Sequence, residues 1–133
     1  MSAYPGPGLA TLLRVNRQAY LWETEQPPAS TYPGSLSQAV LLERLDYASY
    51  PWGACFEAWF SGNPGVFEID IVGANVDQPQ NYAQIGTITL AASYVPGYYV
   101  GRWDMPTNLW VKYVAAYMKT LTNAVNVTLQ VTR

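Results

Sequence analysis

Glu68 and Asp70, two carboxylates two positions apart, are the side chains of this 133-residue chain whose type and spacing come nearest to a catalytic pair. In an extended strand, residues i and i+2 lie side by side about 7 Å apart, within the broad range that glycosidases use for an acid and its partner carboxylate. A plainer reading competes with this one. Phe67, Ile69 and Ile71 alternate with them and take one face of a strand, so polar residues at 68 and 70 are what any half-buried strand requires. The single cysteine, Cys55, sits inside an apolar run, where a thiol packs as a small hydrophobe. It cannot form an internal disulfide or a thiolate metal cluster. The chain has no histidine, which removes the commonest general base and metal ligand and every Ser-His triad. Gly-x-Gly-x-x-Gly, Gly-x-x-x-x-Gly-Lys-Ser/Thr and Gly-x-Ser-x-Gly motifs are missing, and the acids are too dispersed for a calcium loop. The expectation is a non-enzyme that takes no cofactor and no metal.

The elements that would position these residues are strands. Residues 124–132 alternate apolar and polar without a break, so Val125, Val127, Leu129 and Val131 face one side and Asn126, Thr128, Gln130 and Thr132 the other. The same pattern predicts strands over residues 38–47, 54–61, 66–72, 83–92, 98–104 and 109–119. Between them stand turn signals such as Gly62-Asn63-Pro64-Gly65, Pro96-Gly97 and Thr122-Asn123. Adding a first strand over residues 9–15, ahead of Tyr20-Leu21-Trp22, gives eight, the number of a jelly roll. Residues 1–8, with Pro5, Pro7, Gly6 and Gly8, read as a flexible arm, and residues 9–133 as one all-β jelly-roll sandwich domain.

Half of the residues are hydrophobic and 14% aromatic, but only 12% are charged, against a usual fraction of about 25%. A surface of Thr, Asn, Gln, Ser and Tyr suits a protein that packs against other protein, because such groups lose less on desolvation than Lys or Glu. Nine acids and seven bases are scattered singly, so nothing marks a nucleic-acid partner. No stretch of 18 apolar residues and no leader pattern suggests a membrane or export. In residues 54–61, Glu57 marks the wet face and carries Trp59 outward with it, while Phe56, Ala58 and Phe60 go in. In residues 109–119, Lys112 does the same for Trp110, with Leu109, Val111 and Tyr113 inside. The candidate interface is therefore Trp59, Trp110, Glu57 and Lys112, joined by Tyr4 in the arm and Trp22.

The run from Trp59 through Gly62-Asn63-Pro64-Gly65 to Phe67-Glu68-Ile69-Asp70-Ile71, then Ala74-Asn75-Val76-Asp77 and Tyr82, resembles a pattern in small virion structural proteins of tailed bacteriophages. The ending, residues 108–113 followed by Leu121-Thr122-Asn123-Ala124-Val125-Asn126-Val127-Thr128, is similar to their closing strands. The resemblance spans residues 36–133. It implies a capsid cement, or decoration, protein with a jelly-roll fold. Such a protein is made in the host cytoplasm and binds the major capsid protein on the outside of the head as a homo-oligomer, a dimer or trimer. Two other readings stay open. One is a carbohydrate-binding sandwich using Trp52, Trp59, Trp103, Trp110 and the tyrosines 94, 98 and 99, although alternation places Trp103 inside. The other is a tail or neck component.

Overall fold

The computed structural model describes residues 11–13, 18–31, 34–42, 54–92 and 95–132. Residues 1–8, which the sequence predicts to be an arm carrying Tyr4, and Trp52 and Tyr94 lie outside the described residues. Among the described residues, ten strands run in chain order: β1 Thr11–Leu13, β2 Gln18–Glu25, β3 Val40–Leu42, β4 Cys55–Phe60, β5 Phe67–Ala74, β6 Ala83–Ile88, β7 Ala91–Ala92, β8 Tyr99–Asp104, β9 Tyr113–Leu121 and β10 Val127–Thr132. A 3-10 turn, Pro79–Asn81, stands between β5 and β6.

Two sheets form, in the orders β1-β3-β9-β5-β6 and β2-β10-β4-β8-β7. Without the short β1 and β7, eight principal strands remain, and their pairing is nested. The first pairs with the last (β2 with β10), the second with the seventh (β3 with β9), the third with the sixth (β4 with β8) and the fourth with the fifth (β5 with β6). Each of these pairs is antiparallel, and β10 with β4 and β5 with β9 complete the two sheets. A long hairpin rolled so that successive pairs alternate between two sheets is a jelly roll. The expected fold is therefore present, but its first strand is β2. Residues 9–15 contribute three residues that pair parallel with β3 at a sheet edge. The strand predicted from residue 38 spans Val40–Leu42, and the one predicted from residue 109 begins at Tyr113.

Alternation places the core between the sheets. Phe56, Ile69, Ile71, Ile88, Leu129 and Val131 are buried there. Phe60 meets Phe67 at 4.6 Å between ring centroids, and Phe56 meets Trp103 at 5.5 Å, tilted arrangements favoured by the ring quadrupoles. A second, smaller cluster of Leu36, Ala39, Val72, Ala74, Tyr82, Ala115 and Tyr117 covers part of the outer face of the β9-β5-β6 sheet. Tyr113 packs there, on the face opposite the core that Leu109 and Val111 adjoin, so its predicted side is corrected. The reason is that the regular strand starts only at Tyr113, and alternation does not carry across the irregular residues before it.

Candidate functional site

The outer face of the β2-β10-β4-β8 sheet is built by the odd residues of β4 and their cross-strand partners. Trp59 lies between Thr128 and Val100, Glu57 between Gln130 and Arg102, and Cys55 between Thr132 and Asp104. Parity aims these side chains away from Phe56, Ala58 and Phe60, as the sequence predicts for Glu57 and Trp59; Cys55, expected to pack as a small hydrophobe, faces outward with them because it shares their parity. Trp59 is 47% exposed, while Phe56 and Ala58 are fully buried. The polar groups on this face largely satisfy one another: Gln130 donates to Glu57 at 3.5 Å, Gln18 donates to Tyr20 at 3.4 Å, and Arg102 donates to Asp104 at 3.1 Å. A partner that covered such a face would leave few orphaned charges.

Cys55 is part of this network. The thiol donates to the Asp104 carboxylate, and partial burial together with that bond pushes its pKa up to about 11. Asp104 is in turn held below the usual carboxylate range, first by the Cys55 bond and then by Arg102. A thiol tied up in this way is a poor nucleophile at neutral pH.

The carboxylate pair has a different character from the one its spacing suggests. Asp70 is buried, accepting from Thr87 Oγ1 at 3.1 Å and Gln84 Nε2 at 3.4 Å, because its register neighbours Thr87 and Tyr117 flank it on both sides. Glu68 lies against it. The hydrogen bond between the two carboxyls raises the Glu68 pKa, helped by burial and by the Asp70 charge and opposed by Lys119, whose Nζ is 3.5 Å away. Asp70 is thus buried and engaged by Thr87 and Gln84, and only Glu68 of the pair reaches the surface, so the two do not face a common opening as a glycosidase pair must. Beside it runs an open groove of about 570 Å³ lined by Ala29, Ser30, Thr31, Tyr117, Lys119 and Thr120.

The remaining sequence candidates scatter. Trp22 is 2% exposed in the core and is not an interface residue, which corrects the expectation. The cause is a bulge: Gln130 pairs with Tyr20 and Leu129 with Trp22, so the extra residue Leu21 turns inward beside Trp22. Trp110 is 54% exposed, but it stands in the β8–β9 connection. Lys112 anchors that segment on the other sheet, its amide donating to Ala74 O and Asn75 Oδ1, so Trp59 and Trp110 do not share a face. Tyr98, which the sequence places among the candidate sugar-stacking aromatics, is 66% exposed in the turn before β8, whereas Arg102 on the Trp59 face was not singled out from sequence. Parity from Trp59 through its cross-strand partner would have found Arg102 once β4 and β8 were paired.

Several motif residues behind the phage resemblance hold turns in place. Tyr82 OH donates to Asp77 at 2.7 Å and closes the β5–β6 connection. The Pro-Gly turn and the Thr-Asn turn are laced together: Val66 N donates to Thr122 Oγ1 at 2.9 Å and Asn123 Nδ2 donates to Asn63 O at 3.0 Å.

No family model matches this chain, and no curated protein matches it. Among solved structures it is similar to the K3 cleaved adhesin domain of Lys-gingipain from Porphyromonas gingivalis W83, at 14% identity over 87% of this chain and 73% of that chain, with a TM-score of 0.39. The K1 cleaved adhesin domain of the same protein matches at 14% identity over 86% and 70%, with a TM-score of 0.40.

Proposed function

We propose that this chain is a non-enzymatic virion structural protein that attaches to the outside of a bacteriophage head through the Trp59 face and cements the shell. The observation that carries the reading is that face itself: a sheet surface with an exposed tryptophan among polar groups that already pair with one another. Such a surface is suited to broad contact with protein, since Trp supplies anchor area while the paired groups lose little on desolvation. The nested jelly roll and the resemblance of residues 36–133 to phage decoration proteins point the same way. Packaged DNA presses the shell outward, and a protein that bridges neighbouring capsid subunits adds contacts that must break before the shell opens.

The test is co-sedimentation of the purified chain with empty heads of the phage that encodes it. Saturable binding at a copy number matching the shell's symmetry is expected, and Trp59→Ala weakens it by about 1–4 kcal/mol. Absence of binding sinks the head reading. A tryptophan fluorescence change with glycans, seen together with that absence, reassigns the face to a sugar.

A further inference from the structure

An open sheet edge offers a row of unpaired backbone donors and acceptors, and natural sheets blunt such edges with short strands, charges or bulges. Among the described strands, three of the four sheet edges follow that rule. β1 has three residues and β7 two. β2 is long, but it carries Glu23 and Glu25, two register breaks against β10 and Thr24 in the left-handed region at φ 55°. The fourth edge, β6, is different. It is six residues long, ends its sheet, and has no described strand along its outer side. It belongs to a stretch, residues 78–101, without a single Asp, Glu, Lys or Arg. Its one register break, against Ile71 and Val72, falls in its first half and leaves Gly86, Thr87 and Ile88 in regular pairing with β5. Leu90, two residues beyond the strand, is 77% exposed.

We propose that β6 is a dimerisation edge, on which the β6 strand of a second copy pairs antiparallel about Thr87, the exposed residue of its regular half, while the two Leu90 side chains pack beside the joint. The occupant follows from symmetry and charge. A two-fold axis through such an edge sets each strand antiparallel to its own copy, the arrangement of a regular ladder, and places each residue near its counterpart. A charged edge would repel itself there; an uncharged one meets no like charge. The pairing would merge the two β1-β3-β9-β5-β6 sheets into one continuous sheet. This contact lies on the sheet opposite the Trp59 face and stands whether or not that face binds a shell.

Sedimentation velocity on the full chain tests it without any shell. Wild type is expected as a dimer, and Thr89→Lys combined with Leu90→Lys as a monomer that keeps the wild-type circular dichroism. Glu23→Lys, on the β2 edge, remains dimeric. If the lysine variant fails to fold, hydrogen exchange of wild type decides, since the edge-facing amide of Thr87 should lose protection when the dimer is diluted, while its neighbours that bond to β5 keep theirs. A wild type that is monomeric up to its solubility limit, a trimer, a folded lysine variant that stays dimeric, or exchange at Thr87 that ignores dilution overturns the proposal.

Discussion

With its pKa pushed up to about 11 against an ordinary 9.0, the Cys55 thiol is nearly all protonated at neutral pH. Iodoacetamide should therefore alkylate it at pH 8 about 100-fold more slowly than an unstructured cysteine, following the smaller thiolate fraction. Equal rates would mean that the Asp104 contact does not persist in solution. Stability follows the same shift. A group whose pKa is raised by folding contributes stability that is complete below its unfolded value and lost as pH rises through the folded one, so Cys55 weakens the fold between pH 9.0 and about 11. Glu68 has the same sign in another window. Its raised pKa makes its contribution complete in acid, and that contribution fades as pH rises above the ordinary 4.5 and through the folded value. Glu68→Gln keeps a donor toward Asp70 but removes the titration. Urea denaturation across pH 4 to 7 should accordingly show a flatter stability profile for the variant than for wild type. An unchanged slope would mean that the carboxyl pair is not joined.

At the scale of elements, the legible part of this fold is the part where one face is buried and the backbone is regular. Val127, Leu129 and Val131 of β10, Phe56 and Ala58 of β4 and Ile69 and Ile71 of β5 are fully buried, on the sides that alternation assigns. The outward direction of Trp59 was legible for the same reason. Expected exposure failed where a bulge turned a side chain inward, as at Trp22, and where a second layer covered an outer face, as around Asp70. Neither event leaves a local signal in the sequence. Turn chemistry was legible as punctuation but not as architecture, because the lacing of the Pro-Gly turn to Thr122 and Asn123 joins residues more than fifty positions apart. Gly65 shows how tight that lacing is. Its φ is +68°, and an added Cβ would lie 2.3 Å from Thr122 Oγ1. Gly97, at φ +90°, has nothing within 4 Å of the same position. Gly65→Ala should therefore destabilise by about 1–3 kcal/mol in chemical denaturation, and by more than Gly97→Ala, which carries the backbone strain alone. Equal losses in the two variants would show that Thr122 yields freely.

For the whole molecule, the separation of the two proposed surfaces onto different sheets has a measurable consequence. If β6 joins two copies, each dimer carries two Trp59 faces, and the second face binds a shell from a position already held close to it. Where the shell's spacing lets both faces engage, linkage of this kind raises overall binding by about 10²–10⁴-fold without any new contact. Loss of the edge and loss of the face should then differ in form. The Thr89→Lys, Leu90→Lys variant keeps an intact face, so it should still reach wild-type occupancy on empty heads at high concentration while its half-saturation point moves up by a large factor. Trp59→Ala keeps the dimer and lowers the affinity of both faces together. Removing one anchor at about 1–4 kcal/mol per face weakens the doubly attached dimer by up to twice that in free energy, and it should leave the sedimentation coefficient of the free protein unchanged. Binding curves from co-sedimentation separate the cases. Identical curves for the lysine variant and wild type would mean that one face engages at a time, and unchanged binding by Trp59→Ala would place the shell contact elsewhere on the molecule.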